Sequence, residues 1–87
     1  MTDTITLYTQ PGCGPCAATK RYLEKAGVDH DVVNVQEDPT AARVLAKHGL
    51  DRTPAVIATV NGEHYAWQEH RTDQLAALAY LVTGSAA

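Results

Sequence analysis

Two cysteines separated by only two residues, Cys13-Gly14-Pro15-Cys16, stand where a strand-like run meets a helix-like one, and nothing else in the chain constrains the fold so tightly. Thr4-Ile5-Thr6-Leu7-Tyr8 is mostly β-branched or aromatic and runs into the turn signal Gln10-Pro11-Gly12. From Gly14 to Ala26 the residues favour helix, with Cys16, Thr19, Leu23 and Ala26 making an inward stripe and Gly27 acting as a stop. Pro15 fits at such a helix start, because the amide it lacks would have no intrahelical partner there. A bridge across so short a loop would constrain the unfolded chain very little. The pair therefore reads as chemistry and not as scaffolding.

The remaining chain continues the alternation. Val28 to Val35 reads as a second strand, and Asp38-Pro39 as an N-cap and first-turn proline for a helix from Thr40 to His48 that stops at Gly49. Parallel strands need a crossover of a dozen or so residues, which Gly14 to Gly27 provides. After Thr53-Pro54, the runs Ala55 to Val60 and Glu63 to Trp67 flank Asn61-Gly62, a two-residue hairpin turn signal that makes them antiparallel neighbours. Thr72-Asp73 is expected to cap a last helix whose Leu75, Leu78, Ala79 and Val82 share one face. The expected order is βαβαββα, an α/β chain, with residues 1–83 as a single domain and 84–87 as a frayed tail.

Composition narrows the function classes. A chain of 87 residues has room for one compact domain. Its 45% hydrophobic and 20% charged residues exclude a disordered body. With 7 Lys+Arg against 10 Asp+Glu, the net charge of −3 leaves no basic face for nucleic acid. No apolar run approaches the roughly 20 residues that span a bilayer, so no membrane partner is expected. Met1-Thr2-Asp3-Thr4 lacks the basic start and apolar stretch of a signal peptide, and the expected compartment is the cytoplasm.

Thiol–disulfide exchange needs an attacking thiolate and a second thiol close enough to resolve the mixed disulfide. At a helix start, Cys13 meets unpaired amides and the positive end of the helix dipole, which favour its thiolate. Cys16, one turn further in, is expected to be more buried. Cys13 is therefore assigned as nucleophile and Cys16 as resolving thiol. Gly14 lets a partner backbone approach, and Pro15 stiffens the first turn. A zinc site would need two further ligands, and His30, His48, His64 and His70 show no metal-like pairing at short spacing, so no metal is expected. The histidines read as solvated or edge-lying residues without a general-base role.

Cys13-Gly14-Pro15-Cys16 after a short strand, followed by Thr53-Pro54 before a hairpin, resembles the thioredoxin-fold redoxins over nearly the whole chain. That resemblance implies a four-stranded mixed sheet flanked by three helices. The tetrapeptide matches thioredoxin, but Gly12 replaces the usual tryptophan before it and Leu7 stands where thioredoxins carry a buried aspartate. Length and element order are similar to a glutaredoxin and, more closely, to an NrdH-type redoxin. Glutaredoxins hold glutathione with a lysine near the motif and a Gly-Gly-x-Asp type turn. Here Gln10 and Glu69-His70-Arg71-Thr72-Asp73 replace them, and Glu69 would repel an anionic ligand. The Trp-Ser-Gly-Phe-Arg-Pro-Asp-like stretch of NrdH-type proteins is matched at Trp67, Arg71 and Asp73.

By this resemblance, the Thr53-Pro54 bond is cis and faces the cysteines, offering the Thr53 backbone as an edge for a substrate segment; a loop proline opening a strand is the plain alternative. Trp67, Arg71 and Asp73 are implied in partner recognition. Their plain alternatives are core packing for Trp67, a surface ion pair for Arg71 and a helix-start carboxylate for Asp73. The resemblance implies a monomeric dithiol–disulfide electron carrier with no bound cofactor. Thioredoxin reductase, and NADPH through it, would reload the carrier, and a class Ib ribonucleotide reductase or another disulfide-containing protein would accept its electrons. Two further readings stay open at this point: a glutaredoxin using glutathione or another small thiol, and a redox-inactive binding module.

Overall fold

The computed structural model describes residues 3–84, and its elements follow one another as β1 (Thr4–Thr9), α1 (Gly14–Lys25), β2 (Asp31–Asn34), α2 (Ala41–Lys47), β3 (Ala55–Val60), β4 (Glu63–Gln68) and α3 (Thr72–Thr83). The four strands form one sheet in the order β2-β1-β3-β4. β1 runs parallel to β2, with Leu7 opposite Val32, and antiparallel to β3, with Leu7 opposite Val56. β3 and β4 are antiparallel and place Val56 opposite Trp67. The hairpin between them turns on Asn61 and Gly62, at φ 54° and 81°, the left-handed pair that a two-residue turn of this twist demands.

Strand alternation then sorts the side chains into two cores. Ile5, Leu7, Val56, Ala58, Val60 and Trp67 face one way and pack with Leu23 of α1 and with Leu75, Leu78 and Ala79 of α3. Tyr8 and Ala55 face the other way and pack with Ala41 and Leu45 of α2. The result is the three-layer mixed sheet of the thioredoxin fold. β1 and β3 are its two inner strands, so the chain leaving β1 for α1 emerges beside the start of β3.

Both glycine stops act through the same hydrogen bonds. Gly27, at φ 72°, lets its own N–H reach Glu24 O (3.2 Å) while the Val28 N–H reaches Leu23 O (3.0 Å). Gly49, at φ 73°, repeats the pattern with Ala46 O (3.0 Å), and the Leu50 N–H with Leu45 O (2.9 Å). This closure corrects the second strand: Val28 is committed to ending α1 and is buried in the core, so β2 spans only Asp31–Asn34. Val35, although outside the strand, still donates its N–H to Thr9 O at 2.9 Å.

Two helix starts also differ from expectation. Asp38 Oδ1 accepts the Thr40 N–H (3.0 Å) and hydroxyl (2.6 Å), closing a turn ahead of α2, which begins at Ala41. α3 has Arg71 at its N-cap with no side-chain cap bond, and Thr72 is already helical. The fourfold face of α3 holds, with Leu75, Leu78 and Ala79 buried and Val82 packed against them. Gly84, at φ 75°, ends α3 by donating to Tyr80 O (2.8 Å); the rest of the expected frayed tail lies outside the described residues. No helix among the described residues is long and apolar enough to cross a membrane.

Candidate active site

Cys13 occupies the N-cap of α1 in an extended conformation, φ −92° and ψ 103°, and its sulfur accepts the Cys16 N–H at 3.1 Å. The amide is free to do so because the first turn of a helix has no carbonyl preceding it to bond. Cys13 is partly exposed, whereas Cys16 is 3% exposed, and the two are joined as a disulfide with Cα atoms 5.2 Å apart. Once the bridge opens, the same amide and the helix dipole favour an anion on the partly exposed Cys13 over one on the buried Cys16.

Gly14 and Pro15 are exposed between the cysteines, with the proline in the first turn. The backbone before them bends at Gly12, φ 77°, a conformation that a tryptophan at this position would adopt only under strain. Leu7, which stands where thioredoxins carry an aspartate, is fully buried within the apolar core below α1 and α3.

The Thr53-Pro54 peptide bond is cis, as the resemblance implied, and Pro54 is buried while Thr53 is partly exposed. The Thr53 hydroxyl points at the Cys13 sulfur from 4.0 Å. Thus residues forty positions apart meet at one end of the sheet. Two depressions share Gln10, and one of them is lined by the sulfur pair. One, of about 210 Å³, is lined by Cys13 and Cys16 together with Gln10, Lys20 and Val32. The other, of about 470 Å³, lies between α2 and the Thr53 segment, with Val35, Leu45 and Leu50 as apolar wall and Gln10 and Arg52 at its sides.

The segment from β4 into α3 closes the site from behind. Gln68 Oε1 accepts the amides of Asp51 (2.9 Å) and Arg52 (3.3 Å), and the Glu69 N–H donates to Pro54 O at 2.7 Å. Glu69 has φ 72° at the position where the NrdH-type stretch has glycine. Its carboxylate meets Arg52 Nη1 at 3.4 Å, and Arg52 also contacts Asp51 at 3.5 Å. Arg71 makes a two-pronged contact with Asp73, Nε to Oδ1 at 3.3 Å and Nη2 to Oδ2 at 3.2 Å. That hydrogen-bonded pair raises the pKa of Arg71 and lowers that of Asp73. Both are exposed. Trp67 is 7% exposed and packs in the larger core.

His70, which the sequence reads as solvated or edge-lying, is partly buried and bonded to α1. Its Nδ1 shares a 2.9 Å hydrogen bond with the hydroxyl of Thr19, a fully buried residue on the inward stripe of α1. A hydroxyl among apolar stripe positions was the available signal, since a buried hydroxyl requires a partner. Among the described residues, no group of three or more His, Cys, Asp or Glu side chains is arranged to hold a metal ion.

Comparison with known proteins agrees with this geometry. The family model "Glutaredoxin" matches residues 5–65. The glutaredoxin-like protein NrdH of Escherichia coli is 39% identical over 71 residues, covering 82% of this chain and 83% of that protein. The gene 56 protein of Mycobacterium phage D29 is 46% identical over 72 residues, covering 82% of this chain and 80% of that protein. The solved structure of the Escherichia coli NrdH-redoxin, described as a glutaredoxin-like protein with a thioredoxin-like activity profile, superposes with a TM-score of 0.76 at 37% identity, covering 86% of this chain and 93% of that one. A redox-active cysteine pair at a helix start, set in this fold and this company, is the working part of a thiol–disulfide oxidoreductase. The chain belongs to the glutaredoxin family, within which it is an NrdH-type redoxin of the thioredoxin superfamily.

Proposed function

We propose that this redoxin is a cytoplasmic, monomeric electron carrier that reduces protein disulfides, with residues 1–83 as its single working domain. The observation that carries the reading is the asymmetry of the pair: Cys13 is partly exposed with its sulfur on the Cys16 amide, and Cys16 is buried. The Cys13 thiolate attacks one sulfur of a target disulfide, forming a mixed disulfide as the target S–S bond breaks and the departing thiolate takes up a proton. Cys16 then loses its proton and attacks the Cys13 sulfur, releasing the second target thiol. Two electrons have passed to the target, and the Cys13–Cys16 bridge remains.

The extended substrate segment lies along Thr53 beside the Cys13 sulfur, with Pro54 behind it and Gly14 and Pro15 allowing its backbone to approach. Arg71 and Asp73 present the exposed start of α3 to the partner, and Trp67 supports that segment from the core. Electrons come from NADPH by way of thioredoxin reductase, and a class Ib ribonucleotide reductase is the natural acceptor. Glutathione is disfavoured as the electron source by Glu69, a carboxylate held by Arg52 in the loop that would otherwise receive an anionic ligand. Gln10 stands where a lysine would be needed.

The test compares reductants with insulin as acceptor. Turnover with NADPH and thioredoxin reductase, exceeding that with NADPH, glutathione and glutathione reductase by about tenfold or more, is the expected result; a tenfold rate ratio corresponds to about 1.4 kcal/mol of transition-state discrimination. Efficient turnover with glutathione alone would assign the chain instead to the glutathione-dependent glutaredoxins.

A further inference from the structure

Three consecutive residues leaving β4 each hold a different piece of the site. Gln68 grips the backbone of Asp51 and Arg52, immediately ahead of Thr53. The Glu69 N–H holds the Pro54 carbonyl at 2.7 Å. His70 bonds Thr19, 51 residues away in the chain and three residues beyond Cys16 on α1. One short segment therefore ties the Thr53-Pro54 edge to the helix that carries both cysteines. The β1–β3 ladder joins these halves through the sheet, with Tyr8 opposite Ala55. Beyond the ladder, the direct contact between the Thr53-Pro54 edge and the cysteines is the long approach of the Thr53 hydroxyl to the Cys13 sulfur at 4.0 Å, too weak to set their register finely. Thr19 is fully buried and His70 partly exposed, so their bond is shielded from water on the Thr19 side and orients α1 more firmly than a fully exposed contact would.

We propose that His70 is a positioning residue for exchange with protein disulfides: through Thr19 it sets where the Cys13 sulfur stands relative to the Thr53-Pro54 edge. The inference rests on the reading that this edge takes the substrate segment. A small disulfide needs only the sulfur. An extended peptide needs sulfur and edge in register, and a misplacement on the ångström scale is enough to slow its reaction. Breaking the Thr19–His70 bond therefore lowers the protein-to-small-disulfide rate ratio, whereas partial unfolding lowers both rates alike.

The experiment measures single-turnover rates of the pre-reduced protein with insulin and with dithiobis(nitrobenzoate). The proteins compared are wild type, Thr19→Val, Thr19→Ser, His70→Phe, the double variant Thr19→Val/His70→Phe, and Thr53→Trp, which crowds the edge without touching the Thr19–His70 bond. Thr19→Val and His70→Phe are each expected to lower the insulin-to-small-disulfide ratio about fivefold. Thr19→Ser, which keeps the hydroxyl, stays within about twofold of wild type, and the double variant falls no further than either single one. His70 lies on a partly exposed loop, so His70→Phe carries the test if Thr19→Val does not fold. If Thr53→Trp lowers the ratio and His70→Phe does not, His70 has no positioning role and the edge reading stands. If Thr53→Trp leaves the ratio unchanged, the edge reading fails and takes this proposal with it. Single effects that multiply in the double variant would also overturn the proposal, since they would then arise from separate causes.

Discussion

The backbone amide of Cys16 donates to the sulfur of Cys13 at 3.1 Å, across the first turn of α1. In the proposed exchange one residue thus supplies both the hydrogen bond that favours an anion on its neighbour and the thiol that later bonds to that neighbour's sulfur and displaces the target. In a Cys16→Ser variant the amide persists and the resolving thiol is gone. The Cys13 thiol of that variant is expected to titrate below the ~8.5 of a free cysteine, followed by thiolate absorbance. The variant is also expected to accumulate a stable mixed disulfide with its target, visible by mass spectrometry, while Cys13→Ser does not. Adducts found mainly on Cys16 of the Cys13→Ser protein would reverse the assigned roles.

Glu69 takes a left-handed conformation, φ 72°, so that its N–H can reach Pro54 O. Replacing it tests that geometry cleanly when two variants are compared, because both lose the exposed contact with Arg52. Glu69→Gly is expected to be more stable than Glu69→Ala by about 1 kcal/mol, the reverse of their order in a helix or strand, since only the side-chain-bearing residue is strained at positive φ. Chemical denaturation decides it, and an alanine variant equal to or more stable than the glycine variant would rule the strain out.

Asp38 has its carboxyl pKa lowered from 3.8, first by the Thr40 hydroxyl and then by the Thr40 amide. Because the folded value lies below the unfolded one, this carboxylate stabilises the fold fully above 3.8, and the contribution fades as pH falls through the depressed folded value. Asp73, lowered by its bond to Arg71, behaves in the same sense. Asp38→Ala is therefore expected to melt below wild type at neutral pH, with the gap narrowing as the solution is acidified past 3.8. Melting temperatures that stay a constant distance apart across the acid range would contradict it.

Leu23 is fully buried at the centre of the larger core, where α1 meets α3 and the sheet. Leu23→Ala should cost about 2–5 kcal/mol, combining lost transfer energy with the cavity left behind. Leu81, 40% exposed on α3, provides the control: its alanine variant should fall within about 0.5 kcal/mol of wild type. Equilibrium unfolding of the two variants side by side checks the difference.

What could be read from the residues in order was whatever is decided within a few positions along the chain. The helix start under Cys13 follows from the turn ahead of it and Pro15 within it, the hairpin follows from Asn61-Gly62, and the ends of α1 and α2 follow from Gly27 and Gly49. Each depends on local dihedral preferences and hydrogen bonds spanning at most a turn or so. The tertiary structure decided the rest. Val28 ends a helix and fills the core instead of opening β2; Trp67 is withdrawn from the surface; Glu69 turns left-handed to hold Pro54; and His70 finds Thr19. Val28's bond to Leu23 is local, but its burial is not, and the other three have no local signal strong enough to specify them, because those contacts are chosen by how the helices settle on the two faces of the sheet. The reactive pair was legible because its chemistry needs only neighbouring residues, while the edge that stands beside it was assembled by packing.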